Sequence, residues 1–349
     1  MKKERLFYLD FVRAIAVISI VITHFNACFL YLNPPTPEKA VITVMISNIY
    51  LGNWGVSLFF IISGAALMYI YGEKCDLKMF YKKRFFNIYP MFWMAYFGAF
   101  CYLSCVNKCF PGTGVPKKNF LLTIIGFDGL LAGNINTFYI LGEWFLGAIV
   151  LLYFFFPILR KIYIKNPALA WGMVLFIYLW FIYAYKGDFN VEKIIFARFP
   201  EILFGMSFVH KQTKVNWKIA IGAILILFIN EIKQPKYPEL LQTTYIGICS
   251  FLILVYISYF VKNEICHKIV KSLSKYSYAI FLVHHIIIQR ITSKTNMISI
   301  SHVQSYMLFI LICVVIGFLS WILYKTHSFV MNKIVRFIDR INYKKIGCK

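Results

Sequence analysis

The stretch YLDFVRAIAVISIVITHF, residues 8–25, decides the fold. It is an apolar run holding three groups that lipid does not tolerate: Asp10, Arg13 and His24. With its apolar flanks it predicts a helix over 6–31, longer than the ~20 residues needed to cross a bilayer. Arg13 and His24 are eleven positions apart. At 100° per residue that is three turns plus roughly 20°, so both lie on one face, about 16 Å apart along the axis. Asp10 falls on the same stripe. Charged and titratable groups inside a span turn toward protein or a wet cavity, so this first helix needs partners on its polar seam.

Working outward, apolar runs recur along the whole chain. Beyond the first helix they predict helices over 42–71, 86–106, 137–159, 168–185, 195–210, 217–232, 241–261, 274–292 and 304–325. The shorter run 119–132, interrupted by Gly126 and Gly129, reads as an interfacial or re-entrant segment. Hydrophobic residues make up 60% of the chain and charged residues 15%, with a mean hydropathy of +0.69. A soluble domain sits near a quarter charged. The expected fold is therefore all-α: a polytopic membrane helix bundle of about ten transmembrane helices, one domain over residues 1–349.

The net charge of +23 belongs to this architecture. If the N-terminus is cytoplasmic, the inside segments carry 25 Lys and Arg and the outside segments 10. That bias places both termini in the cytoplasm and makes the helix count even; eight or twelve helices would do the same. The basic residues sit in short loops rather than on a polar folded face, which argues against nucleic-acid binding. Lys2, Lys3 and Arg5 precede an apolar run too long for a cleavable signal peptide. The nine cysteines form no CxxC pair and no Cys/His cluster with zinc spacing, so neither a metal nor a redox cofactor is expected.

Three further sets carry candidate chemistry. At YKKRFFNIYP, Lys83, Arg84 and Asn87 precede Pro90 at the start of an apolar run. A cationic mouth there suits a polyanion, although Lys82 and Lys83 also read as positive-inside anchors. On the outer side, Glu143 and Trp144 open one helix, and Arg198 and Glu201 flank Pro200 at the start of another. Carboxylates bind sugar hydroxyls and an indole stacks on a sugar face; equally, these are interfacial aromatics and a local ion pair. His284 and His285 close the motif SYAIFLVHH, with His284 a candidate for the same cavity. His24 itself is a candidate general base, because imidazole takes a hydroxyl proton near neutral pH; its bland alternative is a hydrogen bond to a neighbouring carbonyl. Ser63 and Gly64 lack a nucleophile elbow and read as small packing residues.

Together these segments resemble the integral-membrane acyltransferase family 3, the bacterial sugar O-acyltransferases. Arg13 through His24 is similar to that family's first helix. LFFIISGAAL is similar to its Phe-Phe-x-x-Ser-Gly segment and KKRFFNIYP to its Arg-x-x-Arg-Ile-x-Pro segment. EWFLGAIVLLYFFFPIL and SKYSYAIFLVHH resemble two later segments, and all five occur in order along almost the whole chain. The resemblance implies a catalytic role for His24, support from Arg13, and donor binding by Arg84. It departs at Asn87, where the family's second arginine would stand.

The function this implies is transfer of an acyl group, by expectation acetyl, from acyl-CoA to a hydroxyl of a cell-envelope or exopolysaccharide sugar. The acyl-CoA is a co-substrate, the carbohydrate an acceptor, and the setting the bacterial cytoplasmic membrane. Arg13 and His24 are the expected catalytic residues. Lys83, Arg84 and Asn87 are expected on the donor; Glu143, Trp144, Arg198, Glu201 and His284 on the acceptor. Direct transfer and a transient acyl-enzyme both fit. The rival reading is a transporter or flippase for a lipid-linked sugar; such folds are often built from paired repeats, and none is visible here.

Overall fold

A computed structural model describes residues 4–346; Lys2 and Lys3 of the expected N-terminal anchor lie outside it. The described residues form twelve α-helices. These are α1 (Phe7–Leu30), α2 (Leu51–Tyr71), α3 (Leu77–Asn107), α4 (Phe120–Ile125), α5 (Asp128–Leu131) and α6 (Trp144–Lys165). They continue as α7 (Pro167–Tyr183), α8 (Phe199–His210), α9 (Trp217–Lys233), α10 (Glu239–Ser258), α11 (Glu264–Thr292) and α12 (His302–Ile346). Among the described residues there is no strand, only one antiparallel bridge between Ile46 and Ile49. Each of the ten expected spans falls on a helix, and the run 119–132 becomes the two short helices α4 and α5, broken at Gly126 with φ +76°.

Five of these helices are each long and apolar enough to cross a membrane: α1, α2, α6, α10 and the part of α12 from His302 to Ile334. The remaining expected spans differ from them in identifiable ways. Helices α7 and α9 have 17 residues each and α8 has 12. Helices α3 and α11 are long but open with lysines and arginines that dilute their apolar runs. The chain is a multi-pass, all-α membrane bundle.

Two segments expected to be helical are loops. Residues 42–50 are not part of α2; Ile42, Ser47 and Asn48 have positive φ. Side-chain amides satisfy the backbone there instead. Asn26 donates to Val41 O at 2.6 Å and accepts from Val41 N at 2.9 Å, and Asn230 donates to Ser47 O at 2.8 Å. Residues 137–143 likewise precede α6. Gly142 turns the chain at φ +75°, a conformation that favours glycine, and a Cβ there would come within 2.7 Å of the His285 ring. Helix α3 shows the opposite difference. It starts earlier than expected, capped by Asp76 accepting from Met79 N at 2.8 Å, and runs through Pro90.

Packing at the centre depends on small residues. A Cβ on Gly64 would lie 2.1 Å from Ile202 O, and one on Gly205 would lie 2.0 Å from Ile61 O. Helices α2 and α8 therefore meet backbone to backbone, as small residues allow inside a membrane. On the other flank, α1 packs between α2 and α11. That places the polar seam of α1 toward α11 and the space between them.

Candidate active site

Helices α1, α2, α3, α6 and α11 enclose a cavity of about 470 Å³. This is within the range of sites that bury a small ligand. One end is lined by Arg13, Arg84, Asn87, Ser274 and Lys275. This is the side that the loop charges assign to the cytoplasm. The other end is lined by Tyr50, Asn53, Gly142 and Trp144, and His24 and His284 also line the cavity, close to this end: Tyr50 OH donates to the neighbouring Thr23 O at 3.2 Å.

The cationic end is organised by a buried carboxylate. Asp10 forms an ion pair with Arg5, whose Nη2 donates to Oδ1 at 2.9 Å, and Ser274 Oγ donates to the same Oδ1 at 2.6 Å. Arg13 Nη1 donates to Ser274 Oγ at 3.3 Å and lies 3.9 Å from Asp10 Oδ1. Its side chain keeps 28% of its surface exposed, so the guanidinium is oriented without being used up. Arg84 reaches the same end from α3. Its Nη2 donates to Tyr71 OH at 3.0 Å, and its guanidinium stacks over the rings of Tyr71 and Tyr153 at 5.4 and 5.3 Å. Stacked, fork-shaped guanidinium groups are suited to phosphate. Lys83 points away and is exposed, outside the cavity lining, whereas Asn87 lines the mouth.

Beside Tyr50 and Gly142 three histidines come together. The His24 ring lies 4.9 Å from that of His284 and 5.3 Å from that of His285, edge-on in both cases. Sequence spacing could not show this, because two of the rings come from α11 and one from α1. Among the described residues no group of three or more His, Cys, Asp or Glu is placed to hold a metal ion, these histidines included. Cys28 points its thiol at the carbonyl of His24, 3.6 Å away, and at Thr292 Oγ1.

A family model described as an acyltransferase domain matches residues 6–325, nearly the whole chain. The chain belongs to acyltransferase family 3. It is thus a membrane acyltransferase, and the cavity just described runs through the matched region. No curated protein and no solved structure matches this family 3 acyltransferase closely enough to add to that.

The expected outer residues divide. Trp144 lines the cavity, and Lys193 Nζ lies 5.8 Å from its ring centre. Glu143 is buried behind it, where Oε2 accepts from Leu141 N at 2.7 Å and fixes the turn into α6. Arg198 and Glu201 do not line the cavity of this acyltransferase. Arg198 Nε is 2.9 Å from Glu201 Oε2, both side chains are closed off from solvent, and the guanidinium lies over the Phe60 ring at 5.1 Å. Sequence reasoning missed Ser274, Tyr71 and Tyr153, whose hydroxyls and rings hold the two arginines. It also missed Asn53, which reaches the outer end and donates to Glu239 Oε1 at 2.7 Å and to Glu192 Oε1 at 3.3 Å.

Proposed function

We propose that this acyltransferase moves an acyl group, acetyl first among the candidates, from acyl-CoA to a hydroxyl of a cell-envelope or exopolysaccharide sugar. The observation that carries this reading is the composition of this cavity. It brings together arginines at one end, an indole and amide at the other, and the His24 imidazole in the same wall.

The coenzyme A phosphates bind at the cytoplasmic mouth against Arg84 and Arg13, with Asn87 offering a neutral hydrogen bond. The thioester arm extends toward His24. The sugar meets Trp144 and Asn53 from the other end. His24 takes the proton of the acceptor hydroxyl as its oxygen attacks the thioester carbonyl carbon. The carbon–sulfur bond then breaks, and the imidazolium returns the proton to the coenzyme A sulfur, leaving an ester and a free thiol. A transient acyl-imidazole would use the same residues in two steps. Positioned general bases contribute about 10²- to 10⁴-fold.

The test is acyl-CoA turnover by detergent-purified protein, wild type beside His24→Ala, with an envelope glycan extract as acceptor. Release of free coenzyme A that needs both the acceptor and His24 is the expected result. A His24→Ala protein that retains the wild-type rate would end the general-base reading. A folded wild type that neither binds nor consumes acyl-CoA would end the donor assignment and favour transport of a lipid-linked sugar.

A further inference from the structure

The histidine cluster holds a hydrogen-bonding asymmetry. His284 Nδ1 lies 2.8 Å from Phe281 O and 3.1 Å from Ile280 O. Carbonyl oxygens only accept, so Nδ1 carries the hydrogen. In a neutral imidazole Nε2 is then a bare acceptor. That atom is buried without a hydrogen-bond partner, in a side chain only 1% exposed. Leaving a buried acceptor unpaired is costly, so the atom calls for a donor. Of its two histidine neighbours, His24 is the nearer, at 4.9 Å between ring centres against 6.4 Å for His285.

We infer that His284 is a positioning residue for His24: its bare Nε2, with the His24 ring edge-on beside it, takes up the N–H of the His24 imidazole when the acceptor hydroxyl is bound. That contact fixes which His24 nitrogen carries hydrogen and leaves the other one bare toward the reacting hydroxyl. The inference rests on the proposed role of His24 as base. It moves His284 out of the acceptor-binding set, because the backbone carbonyls of α11 lock its ring for this task. When His24 takes the hydroxyl proton it holds two hydrogens, one on each nitrogen. The one bonded to His284 stays, and the newly gained one passes to the coenzyme A sulfur. His284 ends each cycle unchanged. His285 also stands edge-on to His24 and has its own Nδ1 buried and unpartnered, but its ring is the farther one at 5.3 Å and lies against Gly142.

Three variants of the full-length protein test this, each first checked for a wild-type melting profile. His284→Phe keeps the ring shape and removes the acceptor atom. It is expected to lower kcat by ~10- to 100-fold, the scale on which metal-bound histidines suffer when their orienting partner is removed, with KM for acyl-CoA within twofold. His284→Gln restores an acceptor oxygen and is expected to recover at least tenfold over His284→Phe. In a His24→Ala background, His284→Phe is expected to cost nothing further, because residues acting as one unit are non-additive. If His284→Phe does not fold, His284→Ala takes its place. A phenylalanine or alanine variant with wild-type kcat overturns the inference, as does a glutamine variant no better than phenylalanine. Loss of activity in His24→Ala together with full activity in His284→Phe sinks only this inference; retained activity in His24→Ala sinks the base reading itself.

Discussion

Arg13 and Arg198 are both arginines inside apolar runs, each with a carboxylate three positions away, Asp10 before one and Glu201 after the other. The fold treats them as opposites. Arg13 is held by Ser274 with its guanidinium partly exposed to the cavity, 3.9 Å from a carboxylate that is already paired to Arg5. Arg198 is closed against Glu201, with side-chain exposures of 2% and 0%, and lies over Phe60. One charge is oriented and left available; the other is neutralised inside the packing of α8. An intramembrane charge is thus a reason to look for a site. What separates a site from a strut is whether the charge still has an open side.

The largest effect is expected where the closed pair is broken. Glu201→Ala leaves Arg198 buried and uncompensated, which costs about 3–5 kcal/mol. Thermal unfolding in detergent should drop by roughly 10 °C. Replacing both residues, as Arg198→Met with Glu201→Leu, should recover most of that and leave acyl transfer intact, since swapping a buried pair for apolar volume is often neutral. A stable double variant that loses sugar acylation would return the pair to the acceptor site.

The open arginine predicts the reverse pattern. Arg13→Met should melt near the wild-type temperature, because Asp10 keeps Arg5 and Ser274. Its KM for acyl-CoA should rise by ~10- to 100-fold, the equivalent of a charged hydrogen bond worth 1.5–3 kcal/mol. Initial rates at varied acyl-CoA decide it. An unchanged KM with a lowered kcat would reassign Arg13 from the donor to the transition state.

Much of this was legible in the sequence. The 100° geometry of α1 put Arg13 and His24 on one face, and both line the cavity. Trp144, Asn87 and Arg84 were also marked, and all three line it. Helix existence was legible because apolar runs near membrane length recur along the chain, although 195–210 and 217–232 are short for a span. The loops at 42–50 and 137–143 were not, because what undoes the helix there is a long-range partner, Asn230 for one and the His285 ring against Gly142 for the other. The same reason hid the histidine cluster and the Tyr71–Tyr153 cradle of Arg84. Local spacing reports which face a residue occupies; it does not report which helix stands opposite.

A smaller effect should come from the donor mouth. Arg84→Lys keeps the charge and loses the fork and the stacking on Tyr71 and Tyr153. KM for acyl-CoA should rise by ~3- to 10-fold, a stacked cation being worth roughly 0.5–2 kcal/mol. Asn87→Arg places a second guanidinium at the mouth and should lower KM by a few-fold at low salt, with the gain fading as ionic strength rises. Measuring both across a salt series separates phosphate binding from packing. A salt-independent KM in every variant would remove coenzyme A phosphate from this end.

The smallest effect tests how far the closed pair's influence extends. Glu192, in the connection between α7 and α8, is held above the ordinary carboxylate value of 4.5 by burial first and then by the nearby Glu239; Arg198 and the Asn53 amide oppose that rise while Glu201 adds to it. The folded protein therefore binds this proton more tightly than the unfolded chain does. Stability contributed by the protonated form is full below the ordinary value and is lost as pH rises through the raised one. Glu192→Gln keeps an oxygen for Asn53 and removes the charge. It should melt with the wild type at pH 4 and roughly 2 °C above it at pH 7. In the Arg198→Met, Glu201→Leu background the same substitution should gain about as much, because a neutralised pair exerts little net field on its neighbours. A much larger gain there would mean that Arg198 still acts on Glu192 as an open charge, and that the contrast with Arg13 is one of degree.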